Sequence, residues 1–156
     1  MMVSDMTEKA FVDEKVAKYN EKEPGHGDRW RRAWVDDRTG RYQPKFNELL
    51  NKYVSAKKKD LEFDSFKDAK YTLILKTTFT SVGYNVAIMR RPSFINAEAI
   101  LVETQNRSNV LAVVTITKAP GNDAWGNDFD AGMRIQESYA KAGKELGVFI
   151  AKQISK

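Results

Sequence analysis

The spacing of apolar residues changes along the chain, and this change predicts where helices give way to strands. In the first part of the chain apolar residues recur every three or four positions, as at Val12 and Val16. This period is typical of a helix with one buried face. Asp5 or Thr7 can cap the helix at its start, and we expect it to end near Asn20.

Two further helices are predicted before the period changes. A glycine-containing loop at 23–27 precedes Asp28, which can cap a second helix that ends near Gly40. A third helix is predicted at 43–54, with Pro44 in its first turn, where the missing amide proton is tolerated. The alternative is that the second and third helices are one kinked helix.

From Tyr71 the period falls to two, which predicts strands. The residues that alternation places on one face of strand 71–80 are Tyr71, Leu73, Leu75, Thr77 and Phe79. Strands at 94–104 and 110–117 are separated by a short polar stretch, so we expect them to form an antiparallel hairpin. Alternation also predicts a short edge strand at 61–63.

The longest predicted helix begins near Ala131 and runs almost to the carboxyl terminus. Its predicted inward residues are Ile135, Tyr139, Ala142, Leu146, Phe149 and Ile150. Three small residues lie beside this stripe, namely Ala140, Gly143 and Gly147. We interpret them as a close contact between this helix and the sheet, opposite Ala97 and Ala99.

The order of elements predicts the fold class. Helices, then strands, then a long helix indicate an α+β two-layer sandwich, in which helices pack on a mainly antiparallel sheet of three to four strands. A chain of 156 residues, 42% apolar, has the size of one domain. We expect an N-terminal helical segment at 1–40 and a sandwich core at 41–156. There is no cysteine, which excludes disulfides and thiolate metal sites.

The basic residues raise the possibility of nucleic-acid binding. The net charge is +5, from 26 basic and 21 acidic residues that are interleaved. A cluster able to contact phosphates and stack on bases consists of Arg29, Trp30, Arg31, Arg32, Trp34, Arg38 and Arg41. However, Trp30 and Trp34 are four residues apart and share a helix face, as core residues do. Nucleic-acid binding is therefore the alternative and not the favoured function.

The other candidate sites lack the residue spacing or the number of residues that their chemistry requires. The acidic loop before the last helix does not fit an EF-hand, because counting from Asp128 places Met133 at the turn glycine. His26 is the single histidine and has no second histidine or cysteine for a metal site. Glu98 and Glu103 lie on opposite faces of their strand, which excludes an acid–base pair. We predict no metal, no cofactor and no catalytic residues.

The connection between strands 71–80 and 94–104 is the predicted binding surface, because it combines apolar and basic side chains in one loop. The residues predicted to bind are Tyr84, Ile88, Met89, Arg90 and Arg91. The alternative is a structured crossover that covers one end of the core.

Two stretches, 68–75 and 134–147, resemble small bacterial envelope domains, often lipoproteins, that are related in architecture to the amino-terminal domain of TolB. In such domains a helix like that at 46–50 precedes an Ala-x-Tyr-x-Leu strand, a hairpin and a closing helix. The resemblance covers 42–154 and supplies no catalytic residue. These domains usually begin with a strand, whereas residues 1–6 are too short and polar to predict one.

The resemblance implies a location and a mode of action. It implies a periplasmic or envelope-associated protein if an export signal has been removed, and a cytoplasmic one otherwise, because the chain shows neither an export signal nor a transmembrane segment. A missing first strand would leave a free sheet edge. We predict a non-enzymatic binding or structural module that acts through protein–protein contacts, as a monomer or as a homodimer paired through a sheet edge.

Overall fold

The first half of the chain is mostly helical. The computed structural model describes residues 1–86, 89–121 and 130–154. The elements of this half are β1 (Met2–Val3), β2 (Met6–Thr7), α1 (Glu8–Lys22), α2 (His26–Asp37), a π-helical turn (Arg38–Tyr42) and α3 (Gln43–Ser55). The Thr7 hydroxyl accepts a hydrogen bond from the Ala10 amide and caps α1. The second and third predicted helices form one continuous helix that the π-helical turn interrupts.

The second half contains the sheet and the last helix. Its elements are β3 (Tyr71–Ser81), β4 (Tyr84–Val86), β5 (Met89–Arg91), β6 (Ser93–Glu103), β7 (Val110–Gly121) and α4 (Ala131–Gln153). The main sheet has the order β2-β1-β3-β6-β7, and β4 and β5 form a separate hairpin. The α+β class is confirmed. The sheet has five strands and is mixed, since β1 is parallel to β3, so the prediction of three to four strands was too low.

The amino terminus forms a strand that was not predicted. Met2 pairs with Phe79 and Val3 with Thr80, and the side chain of Val3 is completely buried. The Ser4 amide then donates to the Thr80 carbonyl. A strand of two residues is too short to show a period, so only its tertiary contacts identify it.

Two details of the predicted strands were wrong. Residues 61–63 form no strand, because the Asn51 side chain on α3 takes both backbone groups of Phe63. A bulge between Thr77 and Phe79 inserts one residue in β3 and reverses the facing of the residues that follow. The ring of Phe79 therefore stacks on Phe94, away from the residues with which it was grouped.

Gly143 and Gly147 of α4 contact α3 rather than the sheet. A Cβ added at Gly143 would overlap the Phe46 carbonyl oxygen on α3, so the predicted helix-on-sheet contact at this residue was wrong. The close approach of α4 to the sheet occurs at Gly121 at the end of β7, where a Cβ would overlap the Arg134 carbonyl. Phe149, predicted to face inward, is 43% exposed.

The main core lies between the sheet and the pair α3 and α4. It includes Leu50 and Leu146 from the helices and Ile95 from β6. A second cluster joins the amino-terminal strand to the helices through Val3, Trp34 and Ile135. Within the described ranges, no helix is long and apolar enough to cross a membrane.

Candidate binding cleft

The helical layer leaves a gap on one side of the sheet. α4 packs on β6 and β7, whereas α3 packs along α4 and stands away from β3. The gap between α3 and β3 is a cleft with a volume of about 1190 Å³. The apolar side chains that the sheet contributes to it include Leu73, Leu75, Leu101 and Val114. A mostly apolar concave surface of this size is the usual form of a ligand-binding site.

Exposed apolar side chains gather around this cleft. Met1, Phe66, Tyr71 and Phe149 all line it, and each is between 41% and 52% exposed. Met1 directly precedes the strand that pairs with the outer edge of β3, so the cleft extends to that edge. A contiguous exposed apolar surface of this kind marks an interaction site more often than a single exposed residue does.

The edge of β3 beside the cleft is largely free. β1 pairs only with Phe79 and Thr80, while β6 occupies the other side of the strand along its whole length. In the described part of the chain, no strand lies beside residues 71–77 on the outer edge. Backbone donors and acceptors on a free edge are available to an added strand.

A clamped segment forms the rim of the cleft opposite β3. The Phe63 amide donates to Asn51 Oδ1 and the Asn51 side-chain amide donates to the Phe63 carbonyl, both at 2.8 Å. These two bonds replace the strand pairing that the segment does not have. They hold Leu61 and Phe63 against the core, so this wall of the cleft is fixed to α3.

One end of the cleft is polar and is closed by two tyrosines. The hydroxyls of Tyr139 and Thr77 lie 2.7 Å apart, and the ring of Tyr42 stacks on that of Tyr139 with centroids 4.8 Å apart. Burial raises the pKa of both tyrosine hydroxyls. Both therefore stay protonated at neutral pH and act as hydrogen-bonding groups rather than as bases.

Glu8 organises the charged groups at the same end. Its carboxylate accepts hydrogen bonds from the Trp34 indole, at 2.9 Å, and from the Arg38 guanidinium. Glu8, Trp34 and Arg38 all line the cleft. A buried or half-buried carboxylate with two donors is held in one orientation, so this end of the cleft is rigid.

A second network connects the π-helical turn to the start of α4. Arg41 pairs with Asp37 at 3.1 Å and with Asp130 at 2.6 Å, and Asp130 caps α4 by accepting from the Gly132 amide. Burial alone would raise the pKa of Asp130, but the bonds from Arg41 and the Gly132 amide lower it overall. Burial raises the pKa of Asp37, and Arg41 offsets this only in part. The network fixes the turn that carries Tyr42.

The structure pairs most of the arginines of the predicted nucleic-acid cluster with acids. Arg29 pairs with Glu23 at 2.5 Å and Arg31 with Asp13 at 3.5 Å, while Arg38 and Arg41 have the partners given above. Arg32 is exposed.

The tryptophans of the same cluster belong to a packed aromatic group. Trp34 is 9% exposed, and its ring stacks on Trp30 with centroids 5.5 Å apart. Trp30 also packs against Phe11 and Tyr19. Paired arginines and packed tryptophans both weigh against a platform for nucleic acid.

The predicted binding loop is a separate surface. Tyr84 and Met89 are exposed and lie on the β4–β5 hairpin, where Tyr84 pairs with Arg91 and Arg90 with Asn85. Ile88 lies outside the described residues. Tyr84, Met89 and Arg91 do not line the cleft.

The other sequence candidates contribute no site in the described residues. Most of the acidic loop, 122–129, lies outside them, and within them no group of three or more potential ligands could hold a metal. The single histidine, His26, stacks on Tyr19. The cleft itself was missed, and the local signal for it was the presence of the apolar Leu61, Phe63 and Phe66 within a charged segment, of which 61–63 was predicted to be an edge strand.

Comparison of the chain with protein-family models, with curated proteins and with solved structures finds no match. The resemblance to envelope domains with a TolB-like architecture therefore stays a prediction.

Proposed function

We propose that this chain is a non-enzymatic protein-binding module and that its binding site is the cleft together with the free edge of β3. The observation that carries the proposal is the gathering of Met1, Phe66, Tyr71 and Phe149 around a cleft that opens beside an unpaired strand edge. Neither the predicted hairpin surface nor the arginine cluster combines a concave apolar surface with free backbone groups.

The arrangement favours an extended segment of a protein partner. A strand added to residues 71–77 would form backbone hydrogen bonds with β3, and its alternate side chains would point into the apolar cleft. The backbone contacts would provide affinity without sequence preference. The cleft walls, formed on the sheet side by Leu73, Leu75 and Leu101, would select apolar side chains at alternate positions.

The polar groups of the cleft support binding rather than catalysis. The hydroxyl of Tyr139 is engaged by Thr77 and the carboxylate of Glu8 by Arg38 and Trp34. A nucleophile or general base needs a free position beside the substrate and a pKa near the working pH. The raised pKa of the tyrosine hydroxyls moves them away from that range.

The cellular setting follows from the resemblance alone. Envelope domains with a TolB-like architecture lie outside the cytoplasm, and we place this module in a bacterial envelope on that basis. Its partner would then be another envelope protein that presents an extended apolar segment.

Selection of random linear peptides displayed on phage tests the proposal. Peptides selected on the wild-type protein are measured against Leu73→Trp, which fills the cleft, and against Val35→Trp, which adds the same ring at an exposed site on α2. We expect Leu73→Trp to weaken binding by about tenfold or more and Val35→Trp to leave it unchanged. Failure to enrich any peptide, or equal binding by both variants, would contradict the proposal.

A titration with single-stranded DNA at low salt tests the alternative function, nucleic-acid binding. Nucleic-acid binding predicts quenching of tryptophan fluorescence and an affinity that falls steeply with salt. We expect no such response, because most of the arginines are paired and Trp34 is packed.

A further inference from the structure

β7 is a long edge strand that carries no charge before Lys118. β7 spans Val110–Gly121 and is the last strand of the sheet. No charged residue lies between Arg107 and Lys118. Val110, Leu111 and Val113 are each between 45% and 53% exposed. In the part of the chain that the structure describes, no strand pairs with this edge.

Edge strands of proteins that stay monomeric are usually protected by charge, proline, bulges or short length. The opposite end of the sheet follows this rule, because β2 has only two residues. In β7, charge and proline protect only the end of the strand, at Lys118, whose φ of 52° and whose amide bond to Asn96 Oδ1 interrupt the pairing pattern, and at Pro120. The register against β6 also shifts at Leu111 and between Ile116 and Ala119. Between these two irregularities, residues 112–116 form a regular stretch without charge or proline.

We propose that β7 pairs in antiparallel orientation with β7 of a second copy of this chain, and that this pairing forms a two-fold symmetric dimer. The two sheets then form one continuous sheet across the two-fold axis. Valine, leucine and threonine side chains of one copy gain cross-strand partners in the other, which stabilises the pairing.

The absence of charge favours a second copy as the partner. Since residues 108–117 carry no charge in either copy, antiparallel pairing of this stretch opposes no like charges and buries none. A two-fold contact between identical edges is also self-limiting, because it occupies both edges and leaves no surface for a third copy. The edges that remain are the two-residue β2 strands and the free stretch 71–77 of each β3.

The dimer is inferred independently of the proposed function, and it would increase the affinity of the protein for a partner with repeated segments. Ala112 and Val114 of β7 line the cleft, but the dimer uses the outer backbone edge of β7 and the cleft opens beside β3, so dimerisation leaves the opening accessible. A dimer therefore presents two clefts to a partner with repeated segments. Linked sites of this kind raise the overall affinity without any new contact.

Size-exclusion chromatography with light scattering over a range of concentrations gives the first test. We expect the wild-type protein to be a dimer and Val113→Lys, which adds a charge to the edge, to be a monomer with an unchanged circular dichroism spectrum. Val35→Lys is the matched control, because Val35 is 50% exposed on α2, and it should remain a dimer. A wild-type monomer, an open series of larger oligomers, or a Val113→Lys dimer would overturn the proposal.

Cross-linking gives a second test that does not depend on the lysine variant. The chain has no cysteine, so single cysteines at Val110, Val113 or Thr115 can be joined only between copies. With a short thiol-reactive cross-linker we expect a covalent dimer from at least one of these variants and none from Val35→Cys. Absence of cross-linking at all three positions would overturn the proposal, whatever happens to peptide binding.

Discussion

The two sides of the helical layer differ in how closely they approach the sheet. On the β7 side, α4 comes into backbone contact at Gly121, where the Arg134 carbonyl occupies the space of a side chain. On the β3 side, the inward residues include Leu73 and Leu75, and α3 packs on α4 instead of on the strand. Both sides are apolar. The size of the residues at the contact, rather than their hydrophobicity, decides whether the layers close or leave a cleft.

The largest loss of stability is expected where α3 and α4 meet. A Cβ at Gly143 would overlap the Phe46 carbonyl, so Gly143→Val must push α3 away from α4 and should lower the free energy of unfolding by about 3 kcal/mol. Gly40→Ala is the control, because no atom lies within 4 Å of that position. It should change stability by less than about 1 kcal/mol. Urea titration measures the free energy of unfolding of both variants. Equal losses would mean that α3 and α4 are not in close contact at Gly143.

Truncation of one leucine in the closely packed core and of one in the cleft compares the two sides of the helical layer directly. Leu146 on α4 is 2% exposed, whereas Leu75 on β3 is only partly buried and lines the cleft. We expect Leu146→Ala to cost about 3 kcal/mol and Leu75→Ala about 1 kcal/mol, since the open side already contains space. A cost for Leu75→Ala as large as that for Leu146→Ala would show that the cleft closes in solution.

The tyrosines at the polar end predict a loss of stability in alkali. Their pKa values are raised in the folded state relative to the usual value of about 10. The stability that the protonated hydroxyls contribute to the fold is therefore complete below pH ~10 and is lost as pH rises further. Tyr139→Phe removes the bond to Thr77 and should cost about 1 kcal/mol at neutral pH. The difference in unfolding free energy between wild type and variant should then narrow above pH ~10. A constant difference across that range would contradict the assignment of the alkaline loss of stability to Tyr139.

The smallest effect is expected at the clamped rim. Asn51→Ala removes both bonds to the Phe63 backbone and should speed hydrogen exchange at the Phe63 amide, with a loss in global stability below about 1 kcal/mol. Asn47→Ala, on the same helix, is the control because Asn47 makes no hydrogen bond to this segment. Unchanged exchange in Asn51→Ala would show that packing alone holds the rim.

The sequence predicted the elements that depend on local period. The helices around 7–20 and from residue 131, and the three long strands, were predicted close to their observed bounds, since each shows its own repeat. The two-residue strand β1, the bulge that reverses Phe79, and the contact of Gly143 with α3 depend on residues far away in the chain. No local pattern contains that information.

The candidate site was harder to predict for the same reason. Met1, Phe66 and Phe149 are far apart in sequence, and only the fold brings them around one cleft. Tyr84 and Met89 were predicted to bind a partner because a loop rich in apolar residues is visible in the sequence itself, and the structure shows that both are exposed. Whether that surface binds a protein stays a prediction.

The contact between α3 and α4 also has a consequence for synthesis on the ribosome. The apolar stripe of α3, with Phe46 and Leu50, is completed before the three long strands of the sheet, yet the helix that covers it is the last element of the described fold. At translation rates of about 5–20 residues per second, this stripe stays uncovered for several seconds. During that interval α3 presents to the chaperones of the cell the surface that α4 later occupies.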